Sequence, residues 1–165
     1  MITFRQMMIT DLLFFTEVRN SCAPSYLHDS RTFTLHEAIL WFPTTQVKYY
    51  IIENDGEKIG YFRMSNYSEM NKNIYIGADL HENYRGKGFG YLAYKMFIDF
   101  LFETINLHKI SLEVLETNGI AMKLYKKLGF VEEGRKREEI RKGGLYFDSV
   151  IMSILKSEWK KRSAT

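Results

Sequence analysis

Apolar and polar positions alternate over residues 1–8, which predicts a first strand. Asp11 then stands as N-cap of a helix carried by Leu12, Leu13, Phe14, Phe15 and Val18 and closed at Arg19-Asn20. Residues 22–33 contain Pro24 and many polar side chains and read as a mobile connection. Thr34, with Glu37 three positions on, makes a capping box for a short helix through Ala38, Leu40 and Trp41 that stops before Pro43. Strand alternation returns over residues 48–53 and 58–67, around an Asn54-Asp55-Gly56 turn whose Asp-Gly pair favours a tight hairpin, and again over residues 73–80.

The stretch Asp79-Leu80-His81-Glu82-Asn83-Tyr84-Arg85-Gly86-Lys87-Gly88-Phe89-Gly90 takes that last strand into a glycine-rich turn and a long helix through Leu92, Met96, Phe97, Phe100 and Leu101, apolar on most sides and expected to be buried. Such a turn offers backbone N–H groups and a helix start to one anion, while Arg85 and Lys87 add positive charge; it reads as a phosphate cradle. The Walker form is excluded because Gly88 follows Lys87, and the dinucleotide fingerprint because Tyr91 stands where its last glycine belongs. A strand over residues 109–115 follows. Asn118 opens a helix ending near Leu128, and Gly129 takes the left-handed closing position. Strands over residues 130–135 and 145–155 flank a turn at Lys142-Gly143-Gly144, and the polar tail from Lys156 is expected to fray. The order gives one α/β (α+β) domain over residues 1–165, a mixed sheet with helices on both faces, without internal repeats.

Hydrophobic residues make up 45% of the chain and charged residues 26%, which suits a globular domain able to close a core without metal or disulfide. The single cysteine, Cys22, rules out an internal disulfide and suits a reducing compartment. No signal pattern or long apolar span is present, so cytoplasmic residence is the expectation, with no membrane partner. A net charge of +3 admits a polyanionic ligand but lacks the dense basic clustering of a nucleic-acid surface. His28, His36, His81 and His108 have no metal-ligand spacing.

Arg85-Gly86-Lys87-Gly88-Phe89-Gly90 resembles the pyrophosphate loop, Gln/Arg-x-x-Gly-x-Gly/Ala, of the GCN5-related N-acetyltransferase (GNAT) family. At the family's distance and in its order comes Asn118-Gly119-Ile120-Ala121-Met122-Lys123-Leu124-Tyr125-Lys126-Lys127-Leu128-Gly129-Phe130, similar to its second signature, Asn-x-x-Ala-x-x-Leu-Tyr-x-x-x-Gly-Phe. The later half looks most like the branch that acetylates ribosomal-protein N-termini and polyamines. Val18-Arg19-Asn20 and Trp41-Phe42 are faintly similar to members acting on nucleotide-linked amino sugars.

The resemblance implies a mostly antiparallel sheet in which the strands of residues 73–80 and 109–115 splay into a V-shaped cleft for acetyl-CoA. It implies that Arg85, Gly86, Lys87, Gly88, Phe89, Gly90 and Tyr91 hold the pyrophosphate, largely through amides. Leu80 and His81 would pair with pantetheine, and Asn118 would bond the CoA arm. Tyr125 would give a proton to the departing sulfur. The family's glutamate base is replaced here by Tyr75, two residues before Gly77, which leaves Asp79, on the same strand face, and Glu113 as base candidates beside ordinary paired carboxylates and a water relay.

The family's acceptor region maps onto Arg19, Asn20, Tyr26, His28, Asp29, Arg31, Trp41, Arg63, Arg141 and Tyr146. The resemblance implies an acetyl-CoA-dependent N-acetyltransferase for a primary amine of a small molecule, and because arginine outnumbers acid in that set a nucleotide-linked amino sugar is slightly favoured as the acceptor. The alternatives are a protein N-terminal α-amine, a polyamine, and an acyl-CoA-binding regulatory module without turnover. Dimers are frequent in the family, which admits a homodimer here.

Overall fold

The structure is a computed structural model and describes residues 1–163. The chain forms two compact units: Met1–Ser65 with Gly77–Ala93, and Asn66–Ile76 with the chain from Tyr94 on. The strands join as one seven-stranded sheet in the order β1-β2-β3-β4-β5-β7-β6.

The first unit opens with β1 (Ile2–Gln6), α1 (Leu12–Cys22), α2 (Leu35–Trp41) and β2 (Lys48–Asn54). It also takes the early part of β3 (Glu57–Ser68) and the end of β4 (Asn73–Leu80). β1–β2 and β2–β3 are antiparallel. The β2–β3 hairpin turns through Asp55 and Gly56, both at positive φ (51° and 82°), the geometry that the Asp-Gly pair predicts. α2 has the expected capping box, with the Glu37 amide donating to Thr34 Oγ1 at 3.2 Å and the Thr34 amide to Glu37 Oε2 at 2.7 Å.

Asp11 does not cap α1. Its carboxylate accepts from Arg5 Nη1 at 2.7 Å, Arg5 Nη2 at 2.9 Å, the Met8 amide at 2.9 Å and Lys58 Nζ at 3.3 Å. A two-pronged guanidinium is a stronger partner than a helix amide, and it holds the Asp11 carboxyl at about 2. α1 also runs past its predicted close to Cys22, because Arg19 and Asn20 find partners beyond the helix. Arg19 donates to the Arg31 carbonyl, while the Asn20 amide gives to the Phe33 carbonyl at 2.7 Å and takes from the Phe33 amide at 2.9 Å. The connection read as mobile is therefore pinned near its far end, and at its start by the Tyr26 amide on the Cys22 carbonyl. Met7, Leu12, Phe15, Val18, Ile51 and Tyr61 lie in the core of this unit. Phe15 stacks on Trp41 (5.6 Å between centroids, 9° between planes) and meets Tyr49 edge-on at 5.1 Å.

In the second unit β4 pairs in parallel with β5 (Lys109–Leu115) through Asn73↔Lys109, Ile74↔Ile110 and Tyr75↔Ser111. β5 is antiparallel to β7 (Leu145–Leu155), and β7 to β6 (Val131–Lys142). β6 extends seven residues beyond the predicted end at Arg135. It is an exposed edge strand, charged along most of its length and irregular between Lys136 and Ile140, so it carries no alternation to read.

α3 (Phe89–Glu103) is one-sided rather than buried all round. Tyr94, Phe97, Ile98, Leu101 and Phe102 are buried at helical spacing, while Leu92 and Met96, four apart on another face, are exposed. α4 (Gly119–Leu128) closes on Gly129 at φ 97°, as predicted. The tail does not fray at Lys156 but forms α5 (Lys156–Ser163), held by buried Trp159, whose indole donates to Asp99 Oδ1 at 2.6 Å. Ala164 and Thr165 lie outside the described residues. Among the described residues no helix is long and apolar enough to cross a membrane.

Candidate active site

At the end of β4 the His81 amide donates to the Ile59 carbonyl at 2.9 Å, and its Nδ1 accepts from the Asn83 amide at 3.2 Å. The His81 ring stacks on Phe14 at 6.2 Å. Those bonds set the start of the glycine-rich turn. Gly86 and Gly88 have φ of 71° and 86°, left-handed conformations that favour glycine, and a Cβ at either would meet no atom within 4 Å. Gly86, Lys87 and Gly88 are exposed, α3 begins at Phe89, and the Tyr91 amide closes the first turn on the Gly88 carbonyl at 3.1 Å. The turn thus presents main chain to open space at a helix start, where an anion is favoured.

Arg85 has a different place from the one its charge suggested. Nε donates to the Leu80 carbonyl at 2.8 Å, and Nη2 to Ser21 Oγ at 2.7 Å and Cys22 Sγ at 3.0 Å, with the guanidinium 5.5 Å from the Tyr26 ring. It braces the loop against the end of α1. Cys22 is buried, and that burial pushes its thiol up to about 11.

Asp79 is buried and paired with Arg63, Nη1 to Oδ2 at 3.2 Å. Gly77 makes room for that arginine, since a Cβ there would lie 2.7 Å from Arg63 Nε and Nη2. Burial, with Asp79 adding to it, drives the Tyr61 phenol far above its ordinary range. Glu113, in the second unit, accepts from Lys136 Nζ at 2.7 Å and Ser149 Oγ at 3.0 Å. Both base candidates are therefore engaged by cations.

Four acceptor candidates, Arg19, Asp29, Arg31 and Trp41, line one cavity of about 430 Å³ in the first unit. Arg31 grips Asp29 through Nε and Nη2 at 2.8–3.1 Å and Arg19 Nη2 reaches it at 3.3 Å, with the Arg31 bond holding the carboxyl at about 2. The aromatic walls Phe15, Phe33 and Tyr49 escaped the sequence reading, which had no signal to separate them from ordinary core. Other candidates lie elsewhere: Asn20 on the Phe33 backbone, Tyr26 under Arg85, Arg63 on Asp79. In the second unit the Arg141 guanidinium lies 6.0 Å from the Tyr146 ring.

Also in the second unit, Asn118 Oδ1 accepts from the Ala121 amide at 3.2 Å and caps α4. One face of that helix buries Tyr125, 7% exposed, whose hydroxyl lies 3.1 Å from the hydroxyl of Tyr94.

The sequence pattern of the acetyltransferase (GNAT) family matches residues 12–130. Spermidine N(1)-acetyltransferase of Escherichia coli (strain K12) is 30% identical over 110 residues, 67% of this chain and 59% of that protein. YdaF of Bacillus subtilis (strain 168), provisionally named a ribosomal N-acetyltransferase, is 28% identical over 106 residues, 64% of this chain and 58% of that protein. The match thus spans under three fifths of the length of these curated relatives. The solved structure of spermidine N-acetyltransferase from Vibrio cholerae, in complex with CoA and spermine, superposes with a TM-score of 0.88 at 27% identity, covering 96% of this chain and 98% of that one. With both signatures in place and the family pattern running from α1 to Phe130, the chain belongs to the acetyltransferase (GNAT) family.

Proposed function

We propose that this chain transfers the acetyl group of acetyl-CoA to a primary amine of a small molecule, with a polyamine as the acceptor class. The observation that carries the reading is the turn at Gly86 and Gly88, whose positive φ values and open surroundings leave the main chain clear for a diphosphate. The amides from Gly86 to Gly90 and the start of α3 would hold that group, with Tyr91 and the side chain of Lys87 beside it. Arg85 serves by fixing the loop, Leu80 and His81 by offering backbone to the pantetheine arm, and Asn118 by bonding the same arm.

Acetyl-CoA supplies an activated thioester, so the chain's residues need only orient the amine and manage two protons. Tyr125 gives its hydroxyl proton to the leaving sulfur. Asp79 and Glu113 each already hold a cation, and the proton of the incoming amine is assigned to water.

The arginines that favoured an anionic acceptor are largely committed. Arg19 and Arg31 share Asp29, and Arg63 holds Asp79, so their number alone no longer calls for a nucleotide-linked sugar. The Escherichia coli relative is a spermidine N(1)-acetyltransferase and the Vibrio cholerae spermidine N-acetyltransferase was solved with CoA and spermine, which favours the polyamine reading over the ribosomal one that YdaF suggests. Thiol release from acetyl-CoA across spermidine, spermine, amino-sugar nucleotides and peptide α-amines tests it, and spermidine is expected to be turned over fastest. Activity on peptides alone would remove the small-molecule acceptor, and tight CoA binding without turnover of any amine would leave a regulatory module. Tyr125→Phe is expected to lower turnover more than CoA affinity.

A further inference from the structure

The hydroxyls of Tyr94 and Tyr125 lie 3.1 Å apart on two different helices, both side chains are buried (3% and 7% exposed), and the rings meet edge-on at 5.4 Å and 76°. Neither side chain has much freedom. Tyr94 sits on the buried face of α3 with Phe97, Ile98 and Leu101, and α4 is fixed at its start by the Asn118 cap and at its end by Gly129. We infer that Tyr94 is a positioning residue for proton delivery: its hydroxyl orients the Tyr125 oxygen and stabilises the negative charge left there when Tyr125 gives up its proton. The inference rests on Tyr125 being the acid of the proposed transfer.

Its physical basis is the cost of a phenolate in an apolar setting. As the thioester C–S bond breaks, its electron pair goes to sulfur and the Tyr125 proton follows. The amine nitrogen bonds the acetyl carbon and releases its own proton to water, and Tyr125 regains a proton from solvent between turnovers. During the transfer the buried Tyr125 oxygen carries charge where water cannot reach it freely, and such charge is expensive without a donor. Tyr94 offers a donor within hydrogen-bond distance. The arrangement that serves the acid has Tyr94 donating to the Tyr125 oxygen, which frees the Tyr125 proton to point at sulfur. A packing role would be met equally well by phenylalanine at position 94, which keeps the ring and its edge-on contact.

The test is steady-state kinetics on Tyr94→Phe, Tyr125→Phe and the double variant, with the amine that the unaltered protein acetylates fastest. Tyr94→Phe is expected to lower kcat about three- to tenfold, the size of one lost hydrogen bond to developing charge, while the KM for acetyl-CoA changes less than about twofold. The alkaline limb of kcat moves to higher pH, because a phenol without its donor holds its proton more tightly. In the Tyr125→Phe background the second substitution adds almost nothing. An unaltered kcat and pH profile in Tyr94→Phe, or an equal loss in both backgrounds, overturns the positioning role and leaves the transferase reading standing. Full turnover in Tyr125→Phe removes the acid itself and this inference with it. Should Tyr94→Phe fold poorly, 3-fluorotyrosine incorporated at position 94 keeps the ring and strengthens the donor; the limb then moves to lower pH, and an unmoved limb refutes the role.

Discussion

The guanidinium of Arg85 donates through Nε to the carbonyl of Leu80 at 2.8 Å, tying the residue that enters the glycine-rich turn to the last residue of β4. A second prong reaches Ser21 and Cys22 on α1. Fork geometry, not charge alone, makes those bonds. Arg85→Lys and Arg85→Met are both expected to weaken CoA binding by about three- to tenfold, the cost of one or two hydrogen bonds. Calorimetry with CoA decides it, and full rescue by lysine would mean that the charge acts on the ligand directly.

Gly88 and Gly119 form a matched pair of glycines, each with open space around its Cβ position, but only Gly88 has positive φ. Gly88→Ala should cost about 1 kcal/mol in stability from backbone strain and also weaken CoA binding. Gly119→Ala, in the first turn of α4, should be neutral or stabilising by up to about 1 kcal/mol. Equal behaviour of the two variants in thermal unfolding and CoA titration would contradict the cradle.

Asp11 supplies a pH-dependent stabilisation. Its carboxyl is lowered from 3.8 to about 2, chiefly by its hydrogen bonds to Arg5. A carboxyl with a depressed folded value contributes stability that is complete above the unfolded value and lost as pH falls from about 4 through about 2. Asp11→Asn is therefore expected to lose about 2 kcal/mol at pH 6, with the gap closing toward pH 2. Urea unfolding at both pH values measures this, and a gap independent of pH would assign the loss to packing.

Asp79→Asn separates a paired carboxylate from a base. With Arg63 as its partner, the substitution should lower stability while kcat keeps its acid limb in the pH profile. A loss of turnover of a hundredfold or more with that limb abolished would make Asp79 the base.

Much of this architecture was legible because local chemistry and burial agree. Asp55-Gly56 turns where the dipeptide says it should, Thr34 and Glu37 cap α2, and Gly129 stops α4. The failures came where a distant partner outbid a local one. Asp11 reads as a cap until Arg5 and Lys58, remote in sequence or on another strand, claim its oxygens. Arg85 reads as a phosphate ligand until α1 is known to lie against it. β6 runs past the predicted Arg135 because an edge strand has no buried face to impose alternation, and α5 leaves no pattern in the sequence because one indole, that of Trp159, anchors an otherwise polar segment. The two signatures that carry the candidate site were readable because glycine geometry and a capped helix start are local. The aromatic cavity was not, since Phe15, Phe33 and Tyr49 come together from separate elements.

Cys22 is the chain's single cysteine, shielded by the packing around α1, and its thiol stays protonated well past neutrality. A disulfide-exchange dye added to the folded protein should therefore meet almost no background from the polypeptide, so that coenzyme A released by the proposed transfer would be registered directly. Colour that develops before any amine is supplied would report that the end of α1 has come open.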